Sequence, residues 1–207
     1  MARKSTTWME EKIAVVFDIC SSSEMLEDLA QRQNERAMKD LIRKLKNYLQ
    51  EHQRPLGFEL YKFTGDGWIL LFPSNTEGTG LLTFLTNLLK YFKEVLSTVI
   101  LPRLETAPNL RGMTFGVDKG RVLHFVLAGN AEYIGRPINV ASRLQTAVKD
   151  HLPGHQVLIS RPAFNDFRGN FQHFDPQDMQ ICLKNIRGGR PFNCVKLSLP
   201  VSLCRGD

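Results

Sequence analysis

Two aspartates occupy positions where a carboxylate is costly unless it is used. Asp18 interrupts the apolar run Ile13-Ala14-Val15-Val16-Phe17-Asp18-Ile19-Cys20. Left unpaired in a buried strand, it would cost on the order of several kcal/mol. Asp66 stands in Gly65-Asp66-Gly67, between the β-prone runs Leu60 to Phe63 and Trp68 to Phe72. Carboxylates converging from two strand tips, completed by a substrate phosphate, are a usual way to hold Mg²⁺. A cation held there lowers the pKa of an attacking hydroxyl and neutralises phosphate charge. Farther along, Asn139-Val140-Ala141-Ser142-Arg143 sets an amide and a guanidinium four residues apart, on one face of a helix. The planar fork of Arg suits phosphoryl oxygens, and Asn can hold a ribose oxygen. Each residue also has a plainer reading: Asp66 as a hairpin turn residue, Asp18 as a cap for the next helix, Asn139 and Arg143 as solvated side chains.

These residues need a scaffold, and the pattern of the chain predicts one. The run from Ile13 to Cys20 reads as a strand buried on both faces. Ser21-Ser22-Ser23-Glu24 opens a helical pattern that runs to about Gln50, with Met25, Leu29, Leu41, Leu45 and Leu49 among its apolar positions. Arg54-Pro55-Leu56-Gly57 ends it, and the hairpin with Asp66 at its tip follows. A second helix is expected from Gly80 to Leu101, stopping at Pro102. Residues 113–117 and 122–127 predict two strands joined by a turn at Asp118-Lys119-Gly120-Arg121. Residues 128–136 read as a loop before a third helix opened by Pro137. Strands at 156–160, 181–183 and 192–197 close the chain. This order predicts an α+β fold: a ferredoxin-like βαββαβ core, a mostly antiparallel sheet, and helices over one face. A single domain is expected over residues 12–200, with a flexible N-terminus at 1–11 and a C-terminal tail at 201–207.

Composition narrows the function classes. With 43 % hydrophobic residues the chain is an ordinary globular protein, and its net charge of +6 suits nucleic acid, an anionic surface or a polyphosphate ligand. No Lys/Arg tail or RNA-binding aromatic motif points to nucleic acid. The most apolar stretch, Leu81 to Leu101, carries Lys90, Lys93 and Glu94, which argues for a buried amphipathic helix over a membrane span. Cys20, Cys182, Cys194 and Cys204 lack metal spacing and, with no signal-peptide pattern, imply reduced thiols and a cytoplasmic protein.

Taken in order, several segments resemble the class III nucleotidyl cyclases, and the resemblance covers nearly the whole chain. Val16-Phe17-Asp18-Ile19 is similar to the family's first metal-binding strand, and Lys62-Phe63-Thr64-Gly65-Asp66 to its Lys-x-x-Gly-Asp hairpin. Phe115-Gly116-Val117-Asp118-Lys119-Gly120 resembles the Gly-Ile-x-x-Gly strand. Gly135-Arg136-Pro137-Ile138-Asn139-Val140-Ala141-Ser142-Arg143 is the most specific match, to Gly-x-x-Val-Asn-x-Ala-x-Arg. Ile186-Arg187-Gly188 resembles the late Val-Lys-Gly segment.

The resemblance implies an enzyme that converts a nucleoside triphosphate to a 3′,5′-cyclic nucleotide and pyrophosphate with two Mg²⁺ or Mn²⁺ ions per site. Asp18, its neighbour Ile19 and Asp66 would bind the metals, Asn139 would orient the ribose, and Arg143 would stabilise charge on the α-phosphate. Arg187 would take the place of the family's Lys on the terminal phosphates. In the family the metal residues and the Asn/Arg helix come from opposite subunits, so one chain carrying both implies a symmetric homodimer with shared sites. The base-reading positions fall on Lys62 and Glu132. A donor paired with an acceptor departs from the guanylyl pattern. Glu132 is a methylene longer than the Asp common in adenylyl cyclases and would reach a smaller ring, although it also reads as a solvated loop residue. The cyclase resemblance fills the chain, as in the bare pyrimidine cyclases of the Pycsar anti-phage systems. The expectation is therefore a UTP or CTP cyclase making cyclic UMP or cyclic CMP, with an adenylyl cyclase as the alternative. A catalytically inactive cyclase-like binding module is the rival from another class.

Overall fold

β1 (Trp8–Ile19) runs through the middle of the sheet and is paired along both edges. It pairs antiparallel with β3 (Gly67–Pro73) from Lys12 to Asp18, and antiparallel with β4 (Met113–Leu127) along its whole length. The computed structural model describes residues 7–106, 108, 112–151 and 156–201. After β1 come α1 (Ser22–Gln31), α2 (Arg36–Leu56), β2 (Glu59–Phe63), β3 and α3 (Gly78–Val95). Following β4 are β5 (Asn130–Ile134), α4 (Arg136–His151), β6 (Gln156–Ser160), α5 (Arg161–Asp166), β7 (Gln177–Cys182) and β8 (Pro191–Ser198). The sheet order is β2-β3-β1-β4-β6-β8-β7, with β5 hairpinned onto β4. Its first four positions, β2-β3-β1-β4, are the expected ferredoxin-like core, all antiparallel. Only β4–β6 is parallel among the described pairings.

Alternation along β1 divides the interior. Ile13, Val15, Phe17 and Ile19 point into the larger core with α1, α2 and α3, where Leu41, Leu45, Leu85, Leu89 and Phe92 are fully buried. Ala14 and Val16 point to the other face, where Ala141 of α4 packs with Val122 and Tyr133. The expectation of helices over one face is therefore corrected: α4 covers the opposite face. The near-continuous apolar run of β1 is explained by helices on both sides.

Four other expectations change. The single long helix to Gln50 is two helices, broken where Gln31 to Glu35 offers no apolar residue and Gln33 takes a φ of 56°. Part of the segment expected to be a flexible N-terminus is strand, because Trp8 to Glu11 already pair with β4. The turn expected at Asp118 to Arg121 is the middle of β4, paired with Ala14 to Glu11. Part of the loop at 128–136 is β5, entered through a tight turn with positive φ at Ala128 (49°) and Gly129 (83°).

Candidate active site

The carboxylate end of the site is made by backbone. β2 and β3 form the expected hairpin, closed by a hydrogen bond from Thr64 N–H to the Gly67 carbonyl at 3.0 Å, with Gly65 at a φ of 110°. Gly67 pairs with Asp18, and a Cβ on Gly67 would stand 1.9 Å from the Phe17 carbonyl oxygen. Only glycine lets the strands approach this closely. The Ile19 N–H donates to the Asp66 carbonyl at 3.2 Å, which ties the hairpin tip to the end of β1. Asp18 and Asp66 are thus half-buried at adjoining strand ends. Ser22, the buried first residue of α1, donates its hydroxyl to Asp66 Oδ2. Two carboxylates are a donor set for a hard cation. The Ile19 side chain is fully buried, so its contribution to such a site is limited to its carbonyl. Among the described residues no group of three or more His, Cys, Asp or Glu side chains is placed to hold a metal ion.

A second part of the site lies on α4. Val140, Ala141, Leu144 and Val148 are buried, leaving Asn139 and Arg143 exposed together, as the four-residue spacing requires. The helix lies hard against β4: a Cβ on Gly116 would stand 2.0 Å from the Ala141 carbonyl oxygen and 2.4 Å from the Gln145 nitrogen. Gln145 Nε2 also donates to Thr114 Oγ1 at 2.7 Å inside the core. Asn139, Ser142 and Arg143 line a cleft of about 280 Å³ with Lys184, Asn185 and Ile186 of the β7–β8 connection. Lys184 was missed in the sequence, where nothing distinguishes it from any surface lysine. Arg187 begins a short 3₁₀ turn, but its side chain lies outside the described residues. Neither Asp18 nor Asp66 lines this cleft.

Beneath the first turn of α4 is Asp118, only 1 % exposed. Its Oδ1 accepts from the Ser160 hydroxyl, and Arg136 Nη1 lies 3.6 Å from Oδ2. Burial pushes its carboxyl above the usual range, against the Ser160 hydrogen bond and the Arg136 charge.

Lys62 and Glu132 do meet. Lys62 Nζ is 3.7 Å from Glu132 Oε2. The register of β2 on β3 shifts between Leu60 and Lys62, making Tyr61 the extra residue of a bulge. Bulges of this kind re-aim side chains. Tyr61 and Lys62, which would face opposite ways in a regular strand, both reach Glu132: the Tyr61 hydroxyl donates to Oε2 at 2.7 Å. It also accepts from the Tyr133 N–H at 3.2 Å, with the Tyr133 carbonyl at the same distance. Burial raises the Tyr61 pKa, the backbone of Tyr133 opposes this and Glu132 adds to it, so the phenol stays a donor. An exposed ion pair contributes about 0–1 kcal/mol, a hydrogen bond to a charged group about 1.5–3 kcal/mol. Tyr61, more than the exposed Lys62, fixes Glu132. Behind it, the Tyr133 hydroxyl donates to Glu59 Oε2 at 2.5 Å, and Lys12 Nζ donates to Glu59 Oε1 at 2.7 Å.

No protein-family model and no curated protein matches this sequence. Solved structures match in fold. The adenylyl cyclase CyaB from P. aeruginosa superposes with a TM-score of 0.70 at 21 % identity, over 97 % of this chain and 98 % of that one. The guanylyl cyclase Cya2 gives 0.69 at 16 % identity, over 92 % of both chains. A bacterial light-regulated adenylyl cyclase gives 0.71 at 14 % identity, over 97 % of this chain but 55 % of that one, so this chain spans about half its length. The chain has the fold of class III cyclase catalytic domains.

Proposed function

We propose that the protein is a metal-dependent nucleotidyl cyclase acting as a homodimer. The observation that carries this reading is the Asp18–Gly67 pairing, which brings Asp18 and Asp66 to adjoining strand ends in a cyclase fold. Asp18, Asp66 and the Ile19 carbonyl would hold Mg²⁺ or Mn²⁺, which would supply charge neutralisation at the phosphates and a more acidic 3′-hydroxyl. Asn139 orients the ribose so that its 3′-oxygen faces the α-phosphorus. That oxygen forms the new P–O bond, the bond to pyrophosphate breaks, and the hydroxyl proton passes to water. Arg143 donates to the α-phosphate oxygens, whose charge grows in the transition state. Lys184, on the same cleft, and Arg187 hold the terminal phosphates.

This assignment requires a second copy, because the α4 cleft lacks the carboxylates. The far half of β4, with β5 and the start of β1, carries an exposed apolar row suited to it. Leu123 is paired with both Met9 and Ile134, and Leu127 and Ile134 are each 60 % exposed. In the dimer each site takes Asp18 and Asp66 from one protomer and Asn139 and Arg143 from its partner.

The base is a pyrimidine: Lys62 donates and Glu132 accepts on one edge, and Tyr61 takes up room beside them. Uracil meets this pair with its N3–H and a carbonyl, and cytosine with its amino group and N3. The resulting cyclic UMP or CMP would serve as a second messenger in phage defence, a role that rests on the resemblance to Pycsar cyclases. No helix among the described residues is long and apolar enough to cross a membrane.

The test is incubation with ATP, GTP, CTP or UTP, each with Mg²⁺ or Mn²⁺, and identification of the product by mass spectrometry. A cyclic pyrimidine nucleotide is expected; cyclic AMP would overturn the base assignment, and no cyclic product would overturn the enzyme. Asp66→Ala and Arg143→Ala chains are each expected to lose activity by about 100-fold or more. Mixed together they should recover about a quarter of it, since half the dimers are mixed and each keeps one intact site.

A further inference from the structure

Resting on the cyclase reading, we infer that Tyr61 is the specificity-determining positioning residue of the base pocket. Its hydroxyl donates to Oε2 of Glu132 and so orients the carboxylate, with Oε1 turned to serve as an acceptor for a base N–H. The geometry is redundant in a way a surface tyrosine is not. The hydroxyl is itself held by the Tyr133 N–H at 3.2 Å, so the backbone of β5 sets where the donor stands. Glu132 belongs to that same strand, next to Tyr133, and the carboxylate is therefore gripped by its own strand through a side chain from β2.

The ring of Tyr61 performs a second task. Lys62 Nζ stands 5.7 Å from the ring centroid, within the range of a cation–π contact. The same ring also makes an edge-on contact with the Tyr133 ring, with centroids 5.2 Å apart. One side chain thus sets both the acceptor and the donor that read the base. A flexible Glu–Lys pair can turn to suit several donor and acceptor patterns; a carboxylate held at one oxygen by a fixed phenol is turned one way. The bulge at Tyr61 makes this arrangement, because without the extra residue Tyr61 and Lys62 would lie on opposite faces. The ligand class is a nucleoside triphosphate whose base shows one N–H donor beside a carbonyl or ring-nitrogen acceptor.

The experiment uses the full chain with Tyr61→Phe, which keeps the ring, and Tyr61→Leu, which keeps neither ring nor hydroxyl. kcat/KM and, by calorimetry, Kd are measured for all four nucleoside triphosphates. Tyr61→Phe is expected to shrink the ratio between preferred and next-best base about tenfold, with more of the change in KM than in kcat, and Tyr61→Leu to shrink it further. In a Glu132→Ala background Tyr61→Phe should add nothing, which a merely structural role would not predict. Unchanged selectivity in a folded Tyr61→Phe protein overturns the proposal, as do additive effects with Glu132→Ala. If the wild type forms no cyclic product, the cyclase reading fails while the Kd ratios still decide the role of Tyr61. Equal Kd values for all four bases in the wild type would overturn it too.

Discussion

Asp18 and Asp66 are placed by the main chain, whereas Asn139 and Arg143 stand on the outer side of a helix whose inner side does the packing. At the first region, a strand pairing and a glycine leave the carboxylates little freedom, and Ser22 adds a hydrogen bond to one of them. At the second, the fold fixes α4 through Gly116 and Gln145, but the side chains in the cleft face open space. Rigidity is concentrated where like charges must be held close together. In the proposed enzyme, contact with the triphosphate would fall to the side chains of this open cleft.

Substitutions can break this contrast. Gly67→Ala has the largest expected effect, since the new methyl group must force β3 away from the Phe17 carbonyl. A stability loss of about 3 kcal/mol in urea unfolding is expected, with activity lost even in the folded fraction. An unaltered midpoint would show that the carboxylate end is softer than described. Lys184→Ala is expected to leave the unfolding midpoint unchanged and to raise KM about tenfold with little change in kcat, the mark of uniform binding. A fall in kcat alone would place Lys184 in the transition state instead.

The smallest effect concerns Asp118. Its folded pKa is raised, so the ionised carboxylate weakens the fold at neutral pH. That penalty falls away as pH drops through the folded pKa toward the unfolded value of about 3.9. Asp118→Asn, which keeps an acceptor for Ser160, should therefore gain about 1 kcal/mol at pH 7 and less of it toward pH 4. A gain that grows on acidification would show that Arg136 outweighs burial.

Much of the scaffold was legible because its signals are local. Gly65-Asp66-Gly67 can hardly be anything but a turn, and the apolar positions of α4 leave Asn139 and Arg143 facing outward. Asp118-Lys119-Gly120-Arg121 misled because its composition is that of a turn; pairing with the first half of β1 outweighs local preference there. β5 did carry a signal in Ala128-Gly129 followed by alternation at Ala131 and Tyr133. The role of Tyr61 had none. A bulge depends on the register between strands, and a tyrosine beside a lysine reads as an ordinary edge-strand pair.

The double pairing of β1 has a consequence for the order in which the molecule opens. Amides from Lys12 to Asp18 sit between two neighbouring strands, so they exchange with solvent only when the sheet itself comes apart. The loop carrying Lys184 and Asn185 has no such enclosure. Transient opening is therefore expected in the loop beside the α4 cleft before it reaches the β1 backbone that carries Asp18.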